Sequence, residues 1–352
     1  PVDPLELWTH PPFEPVIEDG KIYARGSSDD KGQLYCHLKA LEAYVKLGLE
    51  LPVNVKFIIE GEEECGGHSV YEYTEQNRER LACDAVVVSD TSLYNAETPA
   101  VCYSLKGLCY MEIRLTGPAM DLHSGSYGGV VQNPGNALAA IIAGLRDADG
   151  RCLVPGFYDQ VLDLDQDERQ AFASLNYTDE VLKQETGAPA PFGEVGYTTL
   201  ERMWARPTCD VNGIACGYGG EGTKTIIPAK AVAKVSMRLV PEQDPEQIAR
   251  AFADHVQAIC PPGVHCEVEN LHNANPVLLP RESEMMQAGL RAMEAGFGKR
   301  PVFIREGGSI PIVGTFQECL QAPVMLLGYG LPTDNIHSPN EKLDVVNFTA
   351  GC

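Results

Sequence analysis

Four acidic side chains and one histidine stand close to where separate predicted elements begin or end. They are Asp29, Glu63, Glu64, Asp90 and His337. If the four carboxylates meet around one neutral imidazole, the site carries about four negative charges, which cannot be buried without compensation. Two divalent cations would balance that charge. The sequence therefore predicts a metal site for two divalent ions.

Each of these residues also has an explanation that involves no chemistry. Asp29 could cap the helix that begins near Gly32, and the acidic run around Glu63 could be a solvated turn. Asp90 could form an Asx-type turn, and a lone His337 is typical of a surface or core position. The joint pattern favours the metal site over these separate explanations.

The elements that would position the acids alternate between helix and strand. An apolar stripe over 34–45 predicts a helix, and strands are predicted over 53–59 and 85–89. The pattern resumes late in the chain with a helix over 285–296 and a strand over 323–327. This order indicates an α/β protein with a mixed, mostly parallel sheet flanked by helices. Ligands bind beyond the carboxyl ends of strands in such sheets, where three of the acids fall.

The middle of the chain has a different order of elements. A strand, a helix, two strands, a helix and a strand are predicted at 111–115, 136–146, 211–216, 231–240, 244–259 and 265–271. This order indicates a ferredoxin-like α+β module inserted into the first domain. We therefore predict a discontinuous metal-binding domain over 1–106 and 273–352, interrupted by an inserted domain over 107–272.

Composition narrows the classes of function and location. The chain has 352 residues and a formal net charge of −22, so nucleic acid and anionic membrane surfaces would repel it. No apolar run approaches the roughly 20 residues of a membrane helix. Twelve cysteines without a Cys-x-x-Cys pair indicate thiols in a reducing compartment, and we predict a cytoplasmic location. We expect both ends, at Pro1 and Cys352, to be cut from a longer protein.

Several motifs follow one another in a fixed order. They are Arg25-Gly26-Ser27-Ser28-Asp29-Asp30-Lys31-Gly32, Glu63-Glu64-Cys65-Gly66, Ser89-Asp90, Asp121-Leu122-His123-Ser124-Gly125, Arg305-Glu306-Gly307-Gly308-Ser309 and His337-Ser338-Pro339-Asn340-Glu341-Lys342. Together they resemble the co-catalytic di-zinc peptidases and deacylases, which include carnosine dipeptidase, glutamate carboxypeptidase and succinyl-diaminopimelate desuccinylase. The likeness is strongest to the cytosolic dipeptidase branch. It implies a zinc-peptidase-like domain and an inserted lid and dimerisation domain.

The resemblance implies a role for each residue of the metal site. Asp29 would bridge two ions. Glu64 and His337 would complete the shell of one ion, and Asp90 would belong to the other. Glu63 would be the general base and acid. We expect zinc, with manganese or cobalt as alternatives.

One ligand of the family is missing from this sequence. The family has a His-x-Asp pair just upstream of the segment where this sequence starts, and its His binds the ion held by Asp90. His10 is the only histidine before Asp29 in this sequence. Its Thr-His-Pro-Pro setting does not match the motif, so we interpret it as structural. We therefore expect this chain to hold one ion well and the other poorly, and activity to belong to the longer protein.

His123 would serve the reaction from the inserted domain. The resemblance implies that it stabilises the developing oxyanion in the partner's site of a homodimer. Without the surrounding motif, a loop histidine with no chemical role would be the better interpretation.

Other residues would contact a small peptide substrate. A free C-terminal carboxylate needs cationic or backbone donors, and Arg238 can offer a bidentate fork. Gly308 and Ser309 can add a backbone amide and a hydroxyl. Thr225 and Glu306 match substrate contacts of the family. For Arg238, a surface charge at a strand end is the alternative.

The predicted activity is metal-dependent hydrolysis of the amide bond of dipeptides, or of short peptides with a free C-terminal carboxylate. A hydroxide bridging the metals would attack the carbonyl, and Glu63 would take the proton and later protonate the leaving amine. One alternative is an N-acyl amino acid deacylase or desuccinylase of the same family. A second is a non-catalytic, metal-poor relative.

Overall fold

The computed structural model describes residues 2–352, which form two compact units. Unit 1 comprises the described residues up to Ser104 together with Leu278–Arg305 and Ile312–Cys352, and unit 2 comprises Leu105–Val277 and Glu306–Pro311. The last segment was predicted in the metal-binding domain. It belongs to unit 2, where the backbone amide of Lys106 donates to the carbonyl of Glu306 at 3.2 Å.

Helices and strands alternate along the described chain. The helices are α1 (Lys31–Leu47), α2 (Ser69–Gln76), α3 (Arg78–Leu81), α4 (Ser124–Tyr127), α5 (Pro134–Ala143), α6 (Gln166–Ser174), α7 (Asp179–Thr186), α8 (Thr199–Ala205), α9 (Pro245–Ile259), α10 (Glu284–Phe297), α11 (Ile312–Leu320) and α12 (Val345–Gly351). The strands are β1 (Val16–Glu18), β2 (Lys21–Tyr23), β3 (Val86–Ser89), β4 (Ala100–Leu105), β5 (Gly107–Thr116), β6 (Leu122–His123), β7 (Thr208–Cys216), β8 (Ile226–Ile227), β9 (Lys230–Leu239), β10 (His265–Ala274), β11 (Val277–Leu278), β12 (Val302–Glu306), β13 (Val324–Leu327) and β14 (Lys342–Asp344). None of the described helices is long and apolar enough to cross a membrane.

The main sheet of unit 1 is mixed. Its strands run in the order β11-β4-β13-β3, with β12 also paired to β4. Strand β13 is buried along its length and pairs in parallel with β3, whereas its pairing with β4 is antiparallel. A separate antiparallel sheet, β1-β2-β14, joins the beginning of the chain to its end. This architecture confirms the predicted α/β class.

Helix α1 of unit 1 starts immediately after the Asp29-Asp30 pair. It ends at Gly48, whose φ of 67° is left-handed and lets its amide cap the carbonyls of Tyr44 and Val45. At Gly32, in the first turn, an added Cβ would lie 2.0 Å from the carbonyl oxygen of Ser27. This close approach explains why a glycine stands at that position.

The predicted strand over 53–59 is wrong. This segment forms no regular secondary structure, and Val53 and Ile59 at its ends are 65% and 59% exposed. A strand needs a neighbouring backbone to complete its hydrogen-bond ladder. No strand within residues 2–352 pairs with this segment. The alternation is present in the sequence, but the pairing that would make it a strand is not.

Unit 2 contains the predicted ferredoxin-like module. Its antiparallel sheet has the order β10-β5-β9-β7, and the elements β5, α5, β7, β9, α9 and β10 follow one another as expected. Helix α9 starts at the predicted cap Asp244, followed by Pro245, and buries Ile248, Phe252 and Val256. These side chains pack with one face of the sheet to form the core of unit 2.

Candidate metal centre

Three of the predicted ligands meet in unit 1. The Nε2 atom of His337 lies 3.0 Å from Oδ2 of Asp29 and 3.1 Å from Oε1 of Glu64. One donor atom from each residue lies within 4.8 Å of the other two. Two carboxylate oxygens and one imidazole nitrogen at this spacing can surround a divalent cation.

A buried glutamate, Glu341, fixes the loop that carries Asp29. Its Oε1 accepts hydrogen bonds from the backbone amides of Ser28 and Asp29, both at 2.9 Å. Its Oε2 accepts from the Gly26 amide at 2.9 Å and from the Arg25 guanidinium at 2.8 Å. The Glu341 carboxylate accepts from four donors and so fixes the position of Asp29. Glu341 is not one of the three grouped metal-ligand candidates.

A second buried acid, Asp334, ties the same loop to the segment that carries His337. Its Oδ2 accepts from the Ser28 hydroxyl and from the Leu331 amide, each at 2.8 Å. Its Oδ1 accepts from Lys342 Nζ at 2.5 Å. No role was predicted for either buried acid. Their signal is in the sequence, because both flank His337, and Glu341 lies within the His337 motif.

Glu63 and Glu64 lie in a short 3-10 turn, Glu63–Cys65, which follows the unpaired segment rather than a strand. Glu62, the third acid of the run, accepts a hydrogen bond from the Ser69 hydroxyl at 2.6 Å. The structure thus distinguishes Glu64, which contacts His337, from Glu62, which contacts Ser69. Burial, followed by the charges of Glu64 and Asp29, raises the pKa of Glu63. A carboxylate with a raised pKa is suited to accept and return a proton.

Negative charge is concentrated around Asp29. Burial and then the neighbouring Glu64 raise the pKa of Asp29 to about 6. A carboxylate whose charged form is disfavoured in this way is stabilised by a cation. The local charge therefore fits a bound metal ion.

Asp90 follows β3 and lies outside the three-residue group, where it acts on Asp30. Burial, then the charges of Asp90, Asp29 and Glu63, raise the pKa of Asp30 to about 9. The Oδ1 atom of Asp30 is buried and has no hydrogen-bond partner among the described residues. A second cation beside Asp90 would relieve this concentration of charge. His10, which was interpreted as structural, does not join the metal ligands: its Nε2 atom lies 3.0 Å from Oε2 of Glu18.

His123 and Thr225 are neighbours in unit 2. His123 pairs with Ile226 across the β6 and β8 strands, and the Ser124 amide donates to the Thr225 carbonyl at 3.1 Å. The Nδ1 atom of His123 accepts a hydrogen bond from the Gly125 amide at 3.0 Å. In the neutral ring, Nε2 therefore carries the proton and is free to donate it in a hydrogen bond. The side chain is exposed, as an oxyanion donor requires before its ligand arrives.

Arg238 and Ser309 are also in contact. The Arg238 guanidinium donates to the Ser309 hydroxyl at 3.1 Å, and that hydroxyl donates to the carbonyl of Lys106 at 2.5 Å. Gly308 is exposed and Glu306 is half-buried beside them in sequence. No role was predicted for Lys106, because a lysine just before a predicted strand has no distinguishing signal.

Comparison with known proteins agrees with this geometry. The family model "Peptidase family M20/M25/M40" matches residues 1–352. The Cys-Gly metallodipeptidase dug1 of Schizosaccharomyces pombe is 36% identical over 359 residues, covering 99% of this chain and 75% of that protein. The human Beta-Ala-His dipeptidase is 31% identical over 356 residues, covering 100% of this chain and 70% of that protein.

Solved structures give the same result. The M20 family metallo-carboxypeptidase Sso-CP2 from Sulfolobus solfataricus superposes with a TM-score of 0.89 and 35% sequence identity, covering 100% of this chain and 80% of that chain. The match of the family model from the first residue to the last carries the assignment, and the fold and the grouping of Asp29, Glu64 and His337 agree with it. The chain belongs to peptidase family M20/M25/M40.

Proposed function

We propose that the protein hydrolyses the amide bond of dipeptides, or of short peptides with a free C-terminal carboxylate, in a metal-dependent reaction. The observation that carries this proposal is the meeting of Asp29, Glu64 and His337, with Glu63 of raised pKa beside them. The names of the relatives, which include Cys-Gly and Beta-Ala-His dipeptidases, support a dipeptide as substrate.

The donor set supports one divalent ion with three ligands and a second ion with fewer. Asp29, Glu64 and His337 would hold one ion. Asp29 and Asp90 would hold the second, beside the buried unpartnered oxygen of Asp30. We favour zinc, with manganese or cobalt as alternatives, since carboxylate and imidazole donors suit each of them. When bound, the ions supply Lewis acidity, which polarises the scissile carbonyl and lowers the pKa of water.

Glu63 is the proton carrier in this proposal. Its carboxylate takes a proton from the attacking water and later gives it to the amine that leaves. Burial, followed by the charges of Glu64 and Asp29, raises the pKa of Glu63, which suits it to hold the proton before returning it. One residue then acts as base and as acid in a single turnover.

Residues of unit 2 would contact the substrate. The Nε2 donor of His123 would stabilise the oxyanion in the partner's site of a homodimer. Arg238, Ser309 and the Gly308 amide would bind the substrate carboxylate. Thr225 and Glu306 would line the same substrate path. A cytoplasmic location is supported by the twelve cysteines, all of which are free thiols.

Product analysis tests the substrate class. The zinc-supplemented protein is incubated with unmodified dipeptides and with N-acetyl and N-succinyl amino acids, and the products are separated by chromatography. We expect free amino acids from the dipeptides and slower release of acetate or succinate. Faster release of acetate or succinate would assign the deacylase activity instead. Turnover of neither class by a metal-loaded protein would contradict both and favour the non-catalytic relative.

A further inference from the structure

Two buried cysteines of unit 2, Cys152 and Cys209, lie with their thiols in contact. Cys209 is in β7, opposite Met237 of β9, and Cys152 forms an isolated bridge with Arg146. The two cysteines are 7% and 5% exposed and belong to the apolar core of unit 2. Their side chains hydrogen-bond to each other. The fold therefore brings together, as free thiols, two cysteines that are far apart in the sequence.

A long segment of the chain lies between these two cysteines, and its ends are held together. The segment 153–207 contains α6, α7 and α8. Arg151 at one end and Arg206 at the other both bind Glu194, whose carboxylate is buried. Arg151 donates to it at 2.6 Å, and Arg206 donates two hydrogen bonds at 2.7 and 2.9 Å. Because these contacts already fix the neighbours of both thiols, a bond between the two sulfurs needs little movement of the backbone.

Cys152 is the thiol of this pair that is suited to react first. The hydrogen bond from Cys209 lowers the pKa of Cys152, and the charge of Arg146 acts in the same direction against the effect of burial. The same hydrogen bond, followed by burial, raises the pKa of Cys209. An ion pair with Asp210 at 3.2 Å holds Arg146 beside the thiols. Since the thiolate is the reactive form of cysteine, Cys152 can act as the nucleophile and Cys209 as the second thiol.

Two other pairs of cysteines in the described part of the chain differ from this one. Cys36 contacts Cys352, and Cys260 contacts Cys266. Burial, followed by the partner thiol, raises the pKa of Cys36 and that of Cys266 to about 12. The Cys260 thiol also donates to the carbonyl of Pro261 at 3.6 Å. Because the Cys260–Cys266 pair lies in the same unit and is more exposed, it is an internal control for the effect of exposure alone.

We propose that Cys152 and Cys209 form a redox-active dithiol, which hydrogen peroxide oxidises to a disulfide that clamps the ends of the 153–207 segment. A small peroxide, rather than a bulky disulfide, is the oxidant that can reach thiols buried this deeply. Disulfides of this kind in reducing compartments are transient, and a dithiol reductant reverses them. This inference goes beyond the proposed function and does not depend on it.

The oxidation takes place in two balanced steps. The Cys152 thiolate attacks one oxygen of the peroxide and the O–O bond breaks, so Cys152 becomes a sulfenic acid and the released hydroxide takes up a proton to form water. The Cys209 sulfur then attacks the Cys152 sulfur and the S–O bond breaks. The hydroxyl leaves with the Cys209 proton as a second water. Together the two sulfurs lose two electrons, and one peroxide is reduced to two waters.

Mass spectrometry of the oxidised protein tests the dithiol. The zinc-supplemented wild-type chain is treated with a small excess of hydrogen peroxide, alkylated with iodoacetamide in denaturant and digested. We expect a peptide pair joined through Cys152 and Cys209, which dithiothreitol separates and which forms about 10-fold faster than a Cys260–Cys266 disulfide. In Cys209→Ser, oxidation should stop at a Cys152 sulfenic acid, which dimedone traps. Cys260→Ser is the matched control and should leave the cross-link unchanged.

Thermal melting of the same samples tests the clamp. A cross-link between the ends of the 153–207 segment lowers the entropy of the unfolded chain, so the oxidised wild-type protein should melt about 5 °C or more above the reduced protein. Peroxide should give no such rise in Cys209→Ser.

Two results on the wild-type chain would overturn the proposal, so a poorly folded variant does not affect the test. One is the absence of the Cys152–Cys209 cross-link at peroxide doses that oxidise other cysteines, or its formation no faster than that of the Cys260–Cys266 disulfide. The other is a complete cross-link that leaves the melting temperature unchanged, which would contradict the clamp.

Discussion

The candidate metal centre of unit 1 and the surroundings of Arg238 in unit 2 carry local charge imbalances of opposite sign. In unit 1, the carboxylates of Asp29 and Glu64 meet at one imidazole, and Asp30 is buried with an unpartnered oxygen beside them. In unit 2, Lys106 and Arg238 are both hydrogen-bonded to Ser309 and lack ion pairs within the described chain. Each imbalance indicates a ligand of the opposite sign. Under the proposed function, the acids bind cations and Arg238 binds the substrate carboxylate.

The two regions also differ in how they are held. Buried acids that face no ligand, Glu341 and Asp334, fix the position of Asp29 through its loop. In unit 2, a single hydroxyl, that of Ser309, connects the two cations. A change at a supporting residue should therefore cost much more in unit 1 than in unit 2.

The largest effect is expected at Glu63. Glu63→Gln removes the proton carrier and should lower kcat by about 10²- to 10⁴-fold, with the metal content unchanged. Steady-state kinetics and elemental analysis measure the two quantities. Glu62→Gln is the matched control, because Glu62 is bonded to Ser69, and it should retain nearly full activity. Similar losses in both variants would mean that the acidic turn acts only through its charge.

A slightly smaller loss is expected at His123. His123→Gln should lower kcat by about 10²- to 10³-fold, as loss of an oxyanion donor does. Mixing this variant with Glu63→Gln sharpens the test. If His123 serves the partner's site, half of the randomly mixed dimers are heterodimers with one intact site, so activity should recover to about a quarter of wild type. No recovery in a dimeric sample would place His123 in its own subunit's site.

Glu341 tests the support of the metal centre. Glu341→Gln removes the charge that pairs with Arg25 and three backbone amides, so the free energy of unfolding should fall by about 3 kcal/mol. Metal affinity should fall by about 10- to 100-fold, as happens when an outer-shell partner is lost. Denaturant unfolding and metal titration measure these changes. The exposed Glu282→Gln is the control. A stable variant with unchanged metal affinity would show that the loop carrying Asp29 keeps its conformation without the Glu341 charge.

The smallest effect is expected at Ser309. Ser309→Ala removes the hydroxyl, which accepts a hydrogen bond from the Arg238 guanidinium and donates one to the carbonyl of Lys106. The KM for dipeptides should rise about fivefold, corresponding to about 1 kcal/mol. The kcat should not change. A fall in kcat with an unchanged KM would contradict the role of Ser309 in substrate binding.

Helices and strands whose own residues include caps and apolar stripes were predicted well. Helix α9 has an Asp244 cap, a proline at its first position and a buried apolar stripe, and all three appear as expected. The ferredoxin-like order followed from the sequence of elements. The segment over 53–59 has an equally clear alternation but no partner strand among the described residues. Pairing between distant strands is a tertiary property, so local periodicity could not reveal its absence.

The residues of the candidate site also fall into those that local sequence predicts and those that depend on tertiary structure. Residues that stand in motifs, such as Asp29 and His337, were predicted as ligands, and the structure brings them together with Glu64. Glu341 was missed although it stands in a motif, because its role depends on burial. Lys106 was missed because its environment comes from Arg238 and Ser309, which lie far away in sequence.

The metal content of the protein tests the central claim most directly. After incubation with zinc and removal of the excess, elemental analysis of the wild-type chain should give at least one zinc ion per chain. Asp29→Asn should lose that zinc while it keeps its circular dichroism spectrum. Fewer than one ion in the wild-type chain, or an undiminished zinc content in a folded Asp29→Asn protein, would contradict the assignment of Asp29, Glu64 and His337 as a metal centre.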